Sequence, residues 1–157
     1  MAFFKRLPLL LLFLAFNTAI HAGVTLTDID GRRISFAALQ GKWVFINYWA
    51  SWCQPCLDEI KELNRFYQNR KRKVALFAVN YDALPVPEQM KLIKQYGITY
   101  PSLQQDPGNV LHLGDIRGVP ATFVFNPQGQ WVTTLYGGQT LDSLDEAMTE
   151  NRNQGTE

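Results

Sequence analysis

From Trp43 to Trp49 the chain reads Trp-Val-Phe-Ile-Asn-Tyr-Trp, an almost unbroken stretch of apolar, strand-forming residues. Such a run fits a strand covered on both faces rather than one with a wet side. The next thirty residues narrow the fold further. After Cys53 the apolar residues Cys56, Leu57, Ile60, Leu63, Phe66 and Tyr67 recur at intervals of three and four, which marks one face of a helix, while Asp58, Lys61, Glu62 and Arg65 fall on the other. Arg70, Lys71, Arg72 and Lys73 sit at the expected helix end, where positive charge complements the negative end of the dipole; a solvated helix end accounts for them without a functional basic patch. Val74 to Val79 is a second buried-strand candidate. Strand, helix, strand in this order is a crossover unit, and that requires parallel pairing within an α/β architecture.

The flanking segments read as additions to this unit. Val24 to Thr27 and Arg33 to Ser35 surround Asp30-Gly31, a pair suited to the positive φ angles of a tight turn, so a small N-terminal β-hairpin is expected. Ser35 is placed to cap a short helical turn over Phe36 to Leu39, with Gly41 ending it. Beyond the Pro85 and Pro87 loop, Glu88 to Tyr96 reads as a second helix closed by Gly97. Thr122 to Phe125 and Trp131 to Leu135 flank Asn126-Pro127-Gln128-Gly129, a hairpin pattern for two antiparallel strands. A last helix is expected from about Thr140, burying Leu141, Leu144 and Met148.

Composition bounds the function classes. A chain of 157 residues with 46% apolar side chains supports one well-cored domain, and a net charge of +1 lacks the basic excess of a nucleic-acid binder. Residues 1–22 have the three-part plan of a secretory signal: Lys5 and Arg6, the apolar run Leu7 to Phe16, then small residues ending at Ala22. Cleavage is expected after Ala22, although Ile20 is bulky for its place before that site and an uncleaved membrane anchor is the alternative. A domain over 23–150 and a flexible tail over 151–157 complete the organisation, and the mature part is expected in the periplasm.

Cys53 and Cys56, the chain's two cysteines, bracket Gln54 and Pro55 where the first strand gives way to the helix. At a helix N-terminus, unpaired N–H groups and the positive dipole end favour a thiolate, so Cys53 is the expected attacking thiol. Cys56, nearly one turn further in, is placed to resolve the mixed disulfide through which exchange passes. Pro55 suits the first helical turn, having no N–H to leave unsatisfied. A zinc site is the weaker reading, because four ligands are usual and beyond the leader only His112 joins the two cysteines. A purely structural disulfide closing so small a ring, or two buried structural thiols, are the remaining alternatives.

The segment Asn47-Tyr48-Trp49-Ala50-Ser51-Trp52-Cys53-Gln54-Pro55-Cys56 resembles the active-site segment of the thioredoxins, in particular the exported TlpA/ResA-like branch that includes reductases of cytochrome c maturation. Gly41-Lys42-Trp43-Val44, Asp106-Pro107-Gly108 and Gly118-Val119-Pro120-Ala121-Thr122-Phe123 extend the resemblance over nearly all of residues 24 to 148. It implies a thioredoxin fold, with a central mixed β-sheet flanked by helices and the hairpin as an extension. It also implies a redox-active Cys53/Cys56 disulfide with no other cofactor, and a cis peptide before Pro120, which lies against the cysteines. The Val119 backbone would pair with an extended substrate segment, and Trp52, beside Gln54 and Pro55, would form part of the docking surface.

Glu59 follows Cys56 by three residues, which places the two on neighbouring helix surface, and the matching position in the ResA-like reductases is a functional acid. The resemblance therefore gives it a role in proton transfer with the cysteine pair; an ordinary solvated helix glutamate is the alternative. Asn47 stands where cytoplasmic thioredoxins have a buried aspartate, and Lys61 where they often have a helix proline, so a straighter helix is expected here.

The function implied is reduction of disulfides in exported proteins such as apocytochrome c, with electrons from a membrane thiol-disulfide transporter. An oxidase or isomerase of secreted proteins, or a non-catalytic thioredoxin-fold binding module, is the alternative.

Overall fold

A computed structural model of the chain describes residues 23–149, so the leader over 1–22 and the tail over 151–157 lie outside the described residues. Thr25–Thr27 (β1) and Arg33–Ser35 (β2) form the antiparallel hairpin, in register from Thr25 opposite Ser35 to Thr27 opposite Arg33. Its turn is organised by Asp28, whose Oδ1 accepts from the Asp30 and Arg32 N–H groups at 3.1 and 2.8 Å. Gly31 completes the turn at φ 83°, a conformation open to glycine at little steric cost. A 3₁₀ turn over Phe36–Leu39 comes next with Ser35 at its N-cap position, but the Ser35 side chain makes no capping hydrogen bond; Phe36, packed edge-on to Phe125 with ring centroids 5.1 Å apart, anchors this turn instead.

Trp43–Trp49 (β3) is the middle strand of a five-stranded mixed sheet. Val74–Asn80 (β4) runs parallel to it, joined by the helix Gln54–Arg70 (α1), as the crossover pattern requires. Ser102–Leu103 (β5) adds a short parallel edge beyond β4. Ala121–Phe125 (β6) pairs antiparallel with β3, and Trp131–Tyr136 (β7) antiparallel with β6, giving the order β5-β4-β3-β6-β7. The second helix, Val86–Tyr96 (α2), starts two residues before the expected Glu88 because Pro87 fits a first turn. Gly97 ends it in the left-handed region at φ 66°. The last helix, Leu141–Ala147 (α3), is capped by Thr140, whose Oγ1 accepts from the Ser143 N–H. Leu144 and Ala147 are its buried residues, with Leu141 and Met148 only partly covered.

Alternation along β3 explains why its sequence is apolar throughout. Phe45 and Trp49 join a core cluster with Leu63 and Phe66 of α1 and Leu144 of α3, against which Leu92, Ile93 and Tyr96 of α2 also pack. Val44, Ile46 and Tyr48 point the other way, into a cluster closed by Leu26 of the hairpin, Phe36, Leu111 and Leu113. Each such fully buried Leu, Ile or Phe contributes about 1.5–3 kcal/mol. Asn47 occupies a helix-side position between Phe45 and Trp49, and it is almost wholly buried. It therefore requires polar partners on that side.

Candidate active site

β3 ends at Trp49, and the chain turns through Ala50 to Trp52 into α1. Cys53 is the N-cap of that helix, with extended backbone angles, and its Sγ accepts from the Cys56 N–H at 3.3 Å. The two cysteines form a disulfide, with their Cα atoms 5.3 Å apart. Cys56 is completely buried and Cys53 is 5% exposed, so the pair forms the floor of the site rather than its rim. Because the sulfur already accepts an N–H that has no partner within the helix, a thiolate formed at Cys53 would lie in the positive field of the first turn.

The rim is supplied by residues that the sequence places next to the pair. Gln54 and Pro55 are exposed in the first turn of α1, and Gln54 Nε2 donates to Asp58 Oδ1 at 2.7 Å. Trp52 is 67% exposed, yet its indole is held in place. Its Nε1 donates to Asp82 Oδ1 at 2.6 Å, and Asp82 Oδ2 accepts from the Ser51 N–H at 3.4 Å. Asp82, in the loop after β4, belongs to no sequence motif that would have marked it. Trp49 is a core residue, edge-on to Tyr96 at 6.0 Å.

Val119 and Pro120 immediately precede β6. The Val119–Pro120 bond is cis, as the resemblance implies. Pro120 is buried, and half-buried Val119 packs against the cluster that contains Cys53 and Cys56. The Pro120 carbonyl accepts from the Gly137 N–H at 3.0 Å, which ties this strand end to the segment leading into α3.

Glu59 is not a solvated helix glutamate. It lies on the inward face of α1 with Cys56, Ile60 and Leu63, 3% exposed. Its Oε1 accepts from Asn47 Nδ2 at 2.8 Å, and its Oε2 accepts from the Gln139 N–H at 2.8 Å. Burial pushes the carboxyl up from an ordinary 4.5 to about 7, against the two hydrogen bonds, which act downward. Asn47 Nδ2 also donates to Thr122 Oγ1 at 3.0 Å, and Asn47 Oδ1 accepts from the Tyr100 hydroxyl at 3.3 Å. The acid is thus suspended between helix, sheet and the α3 approach by a network of five residues. Of these, sequence reasoning finds only Glu59 and Asn47. A polar residue inside an otherwise apolar strand is the available signal; a backbone N–H such as that of Gln139 has none.

Among the described residues no group of three or more His, Cys, Asp or Glu is arranged to hold a metal ion, and no helix is long and apolar enough to cross a membrane. The chemistry this arrangement offers is thiol-disulfide exchange, with a carboxyl of near-neutral proton affinity one helical turn beyond Cys56.

Comparison with known proteins agrees with this geometry. Residues 19–132 match the family model described as the AhpC/TSA family. The thiol-disulfide oxidoreductase ResA of Bacillus subtilis is 32% identical over 124 residues, covering 78% of this chain and 69% of that protein. ResA of Halalkalibacterium halodurans gives 32% over 124 residues, with 78% and 70% covered. Among solved structures, StoA from Bacillus subtilis superposes with a TM-score of 0.65 at 26% identity, over 82% of this chain and 98% of that one. The fold alone is shared with a putative thioredoxin from Neisseria meningitidis, at TM-score 0.70 and 24% identity over 85% and 91% of the two chains. With the Cys53–Cys56 disulfide at the head of α1 and this kinship over most of its length, the chain belongs to the ResA-like thiol-disulfide oxidoreductases of the thioredoxin fold, within the AhpC/TSA family.

Proposed function

We propose that this oxidoreductase is exported by its N-terminal segment and works in the periplasm as a reductase of disulfides in exported proteins, apocytochrome c among them. Reduced Cys53 attacks a substrate disulfide, forming a mixed disulfide and releasing one substrate thiolate. Cys56 then attacks Cys53 Sγ, which releases the second substrate thiolate and regenerates the Cys53–Cys56 disulfide. Two electrons pass to the substrate in each cycle, and a membrane thiol-disulfide transporter restores the reduced pair.

The observation that carries this reading is the placement of Cys53 as the N-cap of α1, its sulfur on the Cys56 N–H, with Cys56 enclosed behind it. This geometry favours one thiolate and one shielded resolving thiol. Glu59, buried with a proton affinity near neutrality, is suited to take and return the proton that Cys56 must lose before it resolves. Val119 and Pro120 form the wall of the site, the proline with no N–H to compete for the sulfurs and the Val119 backbone as the partner for an extended substrate segment. Exposed Trp52, Gln54 and Pro55 provide the docking rim.

The reduction potential of the Cys53/Cys56 couple tests the direction. The protein is equilibrated against dithiothreitol or glutathione buffers and the reduced fraction is read by alkylation. A value at or below about −270 mV, thioredoxin's range, is expected of an electron donor. A value near about −120 mV would overturn the reductase reading in favour of disulfide formation.

A further inference from the structure

Tyr100 lies in the connection between α2 and β5, far from the cysteines in sequence, and its ring is buried. Its hydroxyl donates to Asn47 Oδ1, while Asn47 Nδ2 donates to Glu59 Oε1 and Thr122 Oγ1. The primary amide of Asn47 has two distinguishable ends, and only one of them can donate to a carboxylate. We propose that Tyr100 is a positioning residue whose hydroxyl, by donating to Asn47 Oδ1, strengthens the amide's hydrogen bond to Glu59 and so governs how tightly that carboxyl keeps its proton. The proposal rests on the reading of Glu59 as the group that exchanges protons with the cysteine pair.

The ionised Glu59 carboxylate, which can only accept, keeps the amide nitrogen toward itself, and the Tyr100 hydroxyl, which can donate as well as accept, donates to the Oδ1 that then faces it. Accepting at Oδ1 polarises the amide, so its N–H becomes a stronger donor to Glu59. That stabilises the ionised carboxyl. The hydroxyl stays protonated through the range in which Glu59 titrates, because burial and the negative charge of Glu59 raise Tyr100 well above an ordinary phenol.

The other groups facing Glu59 leave this role to the amide. Along α1 its neighbours one turn away are Cys56, in the disulfide, and Glu62, whose Oε2 accepts from the Leu141 N–H at 3.3 Å. From β6 comes Thr122, and from the α3 approach the Gln139 N–H, which cannot reorient as a side-chain amide can. Among the described residues, no lysine, arginine or histidine forms an ion pair with Glu59.

The test is a carboxyl-carbon NMR titration of the oxidised protein with labelled glutamate, the Glu59 signal being assigned by its loss in Glu59→Gln. Tyr100→Phe removes one oxygen and is expected to raise the Glu59 midpoint by about half a unit or more, roughly a threefold weaker acid. An unchanged or lower midpoint overturns the proposal. Should Tyr100→Phe fail to fold, the parent decides: the Asn47 side-chain amide and the Tyr100 ring carbon must shift with the same midpoint as Glu59, and a network that ignores that titration refutes the coupling. A separate measurement isolates the underlying reading. If Glu59→Gln leaves the pH profile of thiol alkylation in the reduced protein unaltered, the proton-exchange role of Glu59 fails, while the carboxyl titration still reports on Tyr100.

Discussion

Glu59 makes the stability of the oxidised protein depend on pH in a direction opposite to that of most carboxylates. Its folded-state value of about 7 lies above the ordinary 4.5 that it regains on unfolding. Below about pH 4.5 both states hold the proton and the group contributes no slope. Between the two values the folded state binds more protons than the unfolded one, so stability falls as pH rises, and above about pH 7 the full cost is present. A difference of about 2.5 units at about 1.36 kcal/mol per unit gives about 3 kcal/mol. The Glu59→Gln side chain cannot ionise and should abolish this component. Its absolute stability is less informative, because the amide N–H that the substitution introduces would face either Asn47 Nδ2 or the Gln139 N–H and add an offset of its own. The difference between variant and parent is the useful quantity, since every other titrating group cancels in it. Urea unfolding of both oxidised proteins at intervals from pH 4.5 to pH 8 measures it. The variant's advantage should grow by about 3 kcal/mol across that range, a relative midpoint shift of about 1.5 M for a slope near 2 kcal/mol/M. A difference that stays constant within about 0.5 kcal/mol, or that shrinks with pH, would refute the claim that burial dominates the two hydrogen bonds.

Asp82→Ala releases the Trp52 indole from its acceptor without touching the cysteines, so KM for a protein disulfide should rise about fivefold, the equivalent of about 1 kcal/mol, with the reduction potential unchanged. Steady-state kinetics on an oxidised protein substrate, with the potential measured alongside, check both halves. Gly97→Ala forces a Cβ into the left-handed conformation that closes α2 at φ 66°, and should cost about 1 kcal/mol in a denaturant titration, with activity retained because Gly97 lies away from the cysteine pair.

How far the fold can be read from the chain depends on whether a signal is local. β3 is legible to the residue because every position in it is buried or nearly so, and α1 because its inward face repeats at three and four. β5 is invisible: its two residues pair with Ala78 and Val79, far back in the sequence, and show no period of their own. The site divides in the same way. The cysteine pair announces itself by spacing and placement, whereas helical spacing sets Glu59 beside Cys56 and apart from Asp58 and Glu62 but only the family resemblance gives it a role. Its partner Gln139, and Tyr100, which reaches it through Asn47, are not legible, because one gives a backbone N–H 80 residues from Glu59 and the other a hydroxyl 53 residues from Asn47.

The choice of an amide rather than a second acid at position 47 follows from the same geometry. An aspartate there would bring two carboxyls into contact inside the core, and such pairs share a proton and titrate as a unit. Asn47 keeps the contact at 2.8 Å but turns it into a donor, leaving Glu59 as a single carboxyl whose affinity is the balance of opposed effects. Deep burial alone can raise a carboxyl by about 3–5 units. Two short donors, one from the strand and one from the backbone at Gln139, pull it back, and the result is about 7. An acid left wholly without donors would stay protonated at neutral pH, and one given several more would stay ionised; neither would suit the proton exchange proposed for Glu59. The strand asparagine and the helix glutamate therefore act as one unit, and a change at either residue alters the chemistry of the other.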